Sequence, residues 1–321
     1  MIKRATTALL ASLAVFATAL AHPAIARESD RYAFTQDYEP APALWELSDE
    51  DTTIYMLGTI HLLPEGFRWR NPQLDTIIDS ADVLVVETSE EDSVGALDEI
   101  GPKIAYLLEQ RTPTSRQLSP RSRPRWRELV AQSGQPFEYA DTIPLMVALL
   151  GFGRTGLATD PSSYEYGVET VLEREFAQSG RPVESIEDFG RVMYSLFRLN
   201  DAELVSELDG YLRGWRGKSI EGLYDTSPVD LLGDEYWAME HDWARGDVAD
   251  DFDLGFGDGK IAEAFREVLL NRRNRQWASW LEARLDQPGT VLLAVGAGHF
   301  EGEDSLLSWL EQRGLNARRI N

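Results

Sequence analysis

The chain contains four histidines, and two of them stand in the same short frame at opposite ends of it. Gly58-Thr59-Ile60-His61 follows the apolar run Thr53 to Leu57, and Gly296-Ala297-Gly298-His299 follows Thr290 to Val295. Imidazole is the commonest neutral metal ligand and a proton shuttle near neutral pH. A glycine three residues ahead lets the backbone leave the strand in an uncommon conformation, or lets another group approach closely. Between the frames, Asp82-Val83-Leu84-Val85-Val86-Glu87 ends an apolar run on a carboxylate, which is costly there unless it meets a metal, a cation or hydrogen-bond donors. Two histidines and one carboxylate with open water positions make a hydrolytic site, where a divalent ion polarises a carbonyl and lowers the pKa of bound water. The competing reading is two satisfied structural histidines and a Glu87 that has simply reached solvent.

Further candidates surround these three. Arg273 and Asn274 lie just before the last apolar run. Arginine can hold a carboxylate or a developing oxyanion, and asparagine can orient water or a carbonyl. Spacing alone, with Arg272 and Arg275 alongside, reads equally as a solvated helix face. Glu169 and Glu187 are candidate substrate-binding carboxylates, with surface ion pairs as the alternative. His241, among Trp237 and Trp243, reads as structural or exposed. The chain has no G-x-S-x-G elbow, P-loop, H-E-x-x-H or strand-linked G-x-G-x-x-G motif.

The elements that must position these residues follow from periodicity. Ala43 to Leu47 and Thr53 to Leu57 flank a Ser-Asp-Glu-Asp turn and predict a β-hairpin leading into the first frame. Pro72 to Ser80 has helical spacing, and Asp82 to Glu87 is a strand buried on both faces, which completes a βαβ unit. Residues from about 92 to 150 are mostly helical, with an Arg-rich stretch from Arg111 to Arg127 read as a solvated face. A Gly-rich loop spans Gly151 to Ser163. Tyr166 to Ser179 is a helix, Arg181 to Glu187 a strand ending in a carboxylate, and roughly 188–216 and 227–245 are helices. Gly246 to Gly259 lacks the D-x-D-x-D-G register of a calcium loop and reads as a surface loop. Lys260 to Leu285 is one long helix. Glu303 to Arg313 is a helix with acidic residues in its first turn and Gly314 at its C-cap, and Asn316 to Ile320 is a closing strand. This is an α/β chain: a central mixed or parallel sheet built from the N- and C-terminal segments, with a mostly helical middle. It divides into residues 1–26, a linker at 27–42, and one domain over 43–321 with a helical insertion at about 92–245.

Composition narrows the partners. A net charge of −23 disfavours nucleic acid and anionic lipid, which need a basic surface. With no cysteine, a thiolate zinc site is excluded and any metal rests on His, Asp, Glu, amide or water. Lys3 and Arg4, an apolar stretch from about Ala8 to Leu20 and the A-x-A site Ala24-Ile25-Ala26 predict a signal peptide cut after Ala26. The protein is then periplasmic or secreted. An uncleaved anchor is the alternative, and no later run is long enough to span a bilayer.

These residues carry a family resemblance over about 43–321. Leu44-Trp45-Glu46 with Tyr55-Met56-Leu57-Gly58-Thr59-Ile60-His61-Leu62-Leu63-Pro64 resembles the N-terminal signature of the TraB/GumN family, which includes the Tiki-type metalloproteases. Ala81 to Glu87, Tyr166-Gly167-Val168-Glu169 and Gly180 to Glu187 resemble its next motifs. Arg273-Asn274-Arg275-Gln276-Trp277 and Val295 to Gly302 resemble its C-terminal block. The chain departs from it at Glu169, where the family more often has Asp, at Ile186-Glu187-Asp188 in place of Leu-Glu-Thr, and at Phe300 in place of Leu. The resemblance implies an erythromycin-esterase/ChaN-like α/β fold and a metal-dependent, peptidase-like site using both GxxH histidines and a glutamate. The expected metal ligands are His61, His299 and Glu87, the last as ligand or general base. Arg273 and Asn274 are expected to stabilise the substrate or oxyanion. The expected cofactor is Mn²⁺, Co²⁺ or Zn²⁺ and the substrate a peptide or small molecule; the oligomeric state is open. The rival is a non-catalytic periplasmic protein that binds or sequesters a peptide or metal-bearing ligand in the same cleft.

Overall fold

A computed structural model describes residues 32–152, 161–199, 201–217, 232–250 and 259–321. The segment expected as a signal peptide, residues 27–31 of the expected linker, most of the Gly-rich loop, residues 227–231 and much of the Asp/Gly loop lie outside the described residues. Among the described residues no helix is long and apolar enough to cross a membrane.

One six-stranded mixed sheet organises the site. Its strands are β1 (Leu44–Ser48), β2 (Thr52–Thr59), β3 (Val83–Val86), β4 (Val183–Ser185), β5 (Gly289–Gly296) and β6 (Arg318–Arg319), in the spatial order β4-β3-β5-β2-β1-β6. The C-terminal β5 lies between β2 and β3 and runs parallel to both, with Thr59 opposite Gly296 and Val86 opposite Ala294. β4 is parallel to β3. Four parallel strands therefore end at one edge of the sheet, where α/β proteins place their ligands. β1 pairs antiparallel with both β2 and β6, so the expected hairpin and closing strand are present, the latter shorter than the run that suggested it.

Side-chain alternation divides the core. Leu84, Val86, Leu292 and Ala294 face the helices Pro72–Ser80 and Val168–Gln178. Val83, Val85, Val291, Leu293 and Val295 face the helices Arg272–Arg284 and Leu306–Glu311. Each fully buried Val or Leu is worth ~1.5–3 kcal/mol, so a one-residue slip of β5 would be expensive and its register is fixed. The helical middle packs a core of its own around Trp126, Phe152 and Leu208.

Several expectations change. The long C-terminal helix is two helices, Lys260–Arg266 and Arg272–Arg284, joined by a π-turn at Glu267–Asn271. The first belongs to the helical core and the second to the sheet core, so the extra residue of the π-turn re-aims the chain where the two meet. The Arg-rich stretch is a solvated face only in part: Arg116, Arg121, Arg123 and Arg127 are exposed, the last lying over the Phe137 ring, but Arg111 is half-buried against Asp201, its NH1 donating to Oδ1 at 3.0 Å, and Arg125 donates to the carbonyls of Leu212 and Arg213. The last helix is shorter than expected and is capped by Ser305, which accepts from the Ser308 N–H, rather than by first-turn acids. Residues 32–42, expected as linker, pack on the body: the Trp237 indole donates to the Tyr32 carbonyl at 3.0 Å and the Ala41 N–H to the Ala244 carbonyl at 2.7 Å.

Candidate active site

The four parallel strands deliver four of the sequence candidates to one place. β3 ends at Val86, so Glu87 emerges directly at the edge; β5 ends at Gly296, and a single 3-10 turn, Ala297–Phe300, carries His299 back over it. β2 ends at Thr59, and His61 lies two residues beyond, with the Ile60 carbonyl accepting the Val168 N–H at 3.1 Å. β4 brings Glu187 alongside, its N–H donating to the Glu87 carbonyl at 3.3 Å.

The glycines of the two frames act by close approach. Neither Gly58 nor Gly296 has a positive φ, so conformational freedom is not what each position uses. A Cβ on Gly58 would lie 3.1 Å from the Ala297 Cα and 3.3 Å from Phe300. Phe300 in turn stacks on Trp45 at 4.6 Å and 12°, which gives the larger side chain at that position a partner. A Cβ on Gly296 would point into the site, 3.1 Å from Glu87 Oε1, 3.6 Å from His61 Nε2 and 3.8 Å from His299 Cδ2. The missing side chain leaves a cradle between the three expected ligands.

Both imidazoles are oriented from behind. Asn274 donates from Nδ2 to the Asp304 carbonyl at 2.9 Å, so its Oδ1 faces His299 Nδ1, 2.6 Å away, and accepts its proton. A carboxylate oxygen of Glu169 lies 2.8 Å from His61 Nδ1 and also accepts from the Thr59 hydroxyl. In both rings the outer nitrogen carries a held proton, which leaves Nε2 on the inner side, that of His61 at the cradle. Gly167 permits the approach of the Glu169 helix: a Cβ there would lie 2.1 Å from the His61 carbonyl oxygen.

The remaining charges form one network. Arg273 donates from Nε to Glu187 Oε2 at 2.9 Å and from NH2 to Glu187 Oε1 at 2.8 Å and to Glu87. Its NH1 donates to the Leu269 carbonyl at 3.0 Å and lies 3.3 Å from His299 Nε2. The Trp277 indole donates to Glu187 at 3.1 Å, and its ring lies 4.1 Å from that of His299. Glu87 Oε1 accepts the Gly296 N–H at 2.8 Å. Burial disfavours the Glu87 carboxylate, but Arg273, the two histidines and that N–H outweigh it and hold the carboxyl well below its usual range. Burial pushes Glu187 up despite Arg273. Burial, with Arg273 and His61 adding to it, keeps His299 neutral with a pKa of about 3. Partial desolvation by its neighbours opposes charge on His61 too, but Glu169 overcomes it and raises the pKa to about 9.

Exposure sets the direction of access. His61 is half exposed (52%), whereas Glu87 and His299 are 18% and 4% exposed. The cluster opens to solvent past His61. Its three carboxylates, Glu87, Glu169 and Glu187, face one guanidinium and one imidazolium, so it is short of positive charge.

Two imidazoles and a carboxylate are donor types that a divalent cation takes. The cradle over Gly296 is bordered by His61 Nε2, Glu87 Oε1 and the His299 ring at Cδ2, with His299 Nε2 3.3 Å from Arg273 NH1. His299 Nε2 and Glu87 Oε1 are 3.7 Å apart, near the roughly 3.4 Å that separates two donors on one tetrahedral ion. Glu169 Oε2 is buried without a hydrogen-bond partner. As they stand, no three His, Asp or Glu side chains among the described residues are gathered tightly enough to ligate one ion, and the Arg273 guanidinium is the cation on Glu87.

The structure thus brings all seven candidates together, in two layers. His61, Glu87, His299 and Arg273 border the cradle. Asn274 (1% exposed), Glu169 and Glu187 lie behind them as supports, each hydrogen-bonded to one of the four or to its neighbour. Thr59, Gly167 and Trp277 were not singled out from sequence; Trp277, one helical turn beyond Arg273, is the one whose spacing carried a signal. His241 is structural: buried, with Nδ1 2.7 Å from the Tyr38 hydroxyl. In comparison with known proteins, the model of the TraB/PrgY/gumN family matches residues 43–319. No curated protein and no solved structure matches the chain.

Proposed function

The chain belongs to the TraB/PrgY/gumN family, and from that premise and the geometry above we propose that it is a metal-dependent hydrolase acting on peptide bonds. The observation that carries the reading is the pair of imidazoles, each tied at Nδ1 from behind, whose Nε2 atoms face Glu87 across the cradle of Gly296. His61, His299 and Glu87 would hold Mn²⁺, Co²⁺ or Zn²⁺. Such an ion supplies a polarised substrate carbonyl and an acidified water.

The protein's own residues do the rest. Glu169 and Asn274 fix the tautomers of the ligating rings. His61 gives up its Nε2 proton when it serves as a ligand, so ion uptake releases a proton into the open side of the cleft. Arg273, held rigid by Glu187, presents NH1 beside His299 Nε2, where it can donate to an oxygen that gains charge in the transition state. The shortage of positive charge favours a cation over an anion as the occupant. An exported, periplasmic or secreted setting follows from the N-terminal segment and belongs to the same proposal.

Purified protein incubated with each metal and a diverse peptide pool tests the activity. Metal-dependent cleavage that disappears in Glu87→Gln supports the hydrolase. Tight peptide or metal binding without turnover would instead make the protein a binding or sequestering one.

A further inference from the structure

Residues 32–40 alternate between half-buried and exposed as an extended chain does: Tyr32, Phe34, Gln36 and Tyr38 face the body, while Ala33, Thr35, Asp37 and Glu39 face solvent. They precede the residues that the family model matches. Gln36 treats Arg68 as a neighbouring strand would. Its Oε1 accepts the Arg68 N–H at 2.7 Å and its Nε2 donates to the Arg68 carbonyl at 2.9 Å. The Arg68 guanidinium returns to the carbonyls of Gln36 and Tyr38. Phe34 packs on Phe67 at 5.4 Å, and Asn71 donates to the Pro40 carbonyl at 2.8 Å. The other side of the segment is fixed to the helix Ala238–Arg245 and the turn before it. The Thr35 N–H donates to Asp234 at 2.7 Å, and Tyr38 meets His241. That helix reaches the first frame itself, with the Trp243 indole donating to the Gly58 carbonyl at 2.8 Å in a buried contact.

These contacts fall on both sides of His61: Gly58 before it, and Phe67, Arg68 and Asn71 after it. His61 is also the most exposed member of the cluster, on a loop whose nearer ties are the Val168 N–H and the pairing of Leu63 with Ser163. We propose that residues 32–40 form a positioning strap, which with the Ala238–Arg245 helix sets the loop that carries His61, Gln36 being its principal contact. The strap touches no substrate and acts through the loop. The inference rests on the reading of His61 as a site residue.

Hydrogen exchange of the full chain, read residue by residue, tests it with Gln36→Ala, Gln36→Glu and Tyr38→Phe. Gln36→Ala removes both bonds to the Arg68 backbone and should speed exchange at Arg68 and neighbouring loop amides roughly ten-fold, leaving β2, β3 and β5 unchanged. Gln36→Glu keeps the acceptor and should restore protection at Arg68. Tyr38→Phe should loosen the same loop to a smaller extent. Co²⁺ affinity, followed by its visible spectrum, should weaken in step with loop exchange. Loop exchange unchanged in Gln36→Ala, or raised equally throughout the sheet, or not restored by Gln36→Glu, overturns the strap. Loop changes as expected in a protein that binds no Co²⁺ in its unaltered form would uphold the strap and remove the metal reading.

Discussion

Gly296 is where the smallest change should have the largest chemical effect. Its φ of −49° and ψ of 135° suit any L-residue, so Gly296→Ala should fold. The added methyl would sit 3.1 Å from Glu87 Oε1 and 3.6 Å from His61 Nε2, in the space an ion needs. We expect metal affinity to fall at least about ten-fold with little change in melting temperature; unaltered affinity by calorimetric titration would show that the cradle is not the site. Arg273→Met should do the reverse to stability: it leaves Glu187 without its cation and Glu87 with the His61 imidazolium alone, and denaturant melts should show a loss of about 3 kcal/mol. A loss below ~1 kcal/mol would mean that the network is held by something else. His61, His299 and Glu87 were legible because each follows a buried strand and is a residue type with reason to be there. Their supports were not: Glu169 meets Thr59 across 110 residues of chain, and Arg273 meets Glu87 across 186, distances over which no local pattern reports.

At the scale of elements, the parallel strands and the π-turn share the work of alignment. Apolar runs at 53–57, 82–86 and 290–295 identify β2, β3 and β5 because strands buried on both faces have no polar alternation to hide them. The order in which they pair is not written in any one run. The π-turn left no trace, since Glu267 to Asn271 contains only residues that an α-helix accepts; it exists because the two cores demand different faces of one helix. That makes it testable. Deleting Val268 removes the one residue that the π-turn absorbs, so the segment should become continuous α-helix with Arg273 still aimed at Glu87. Helical circular dichroism and metal uptake should both persist. Metal uptake lost from a folded deletion variant would show that the turn does more than absorb one residue.

For the whole molecule, two oppositely shifted histidines give a distinctive pH response in the metal-free protein. His61 has a folded pKa of about 9 against an ordinary value of 6.5, so the native state holds its proton longer than the unfolded state. Its contribution is complete below pH 6.5 and is lost as the pH rises towards 9. His299 lies at about 3, so the unfolded state takes up the proton first, and stability falls as the pH drops below 6.5. Stability should therefore peak near pH 6.5. His61→Gln should flatten the alkaline limb and His299→Gln the acid limb between about pH 5 and 6.5, above the carboxylate range; limbs that survive both substitutions would assign the slopes to other groups. The acidic balance was plain in the sequence, but that one carboxylate in excess of its cations lies at this sheet edge is a property of the fold alone. The central claim is that the two ends of the chain build one cation site. Metal content and affinity of the purified protein, measured for the unaltered chain, His61→Ala and His299→Ala, test it most directly. The account predicts one bound divalent ion per chain that is lost in both variants. No metal in the unaltered protein, or equal metal in all three, would contradict it.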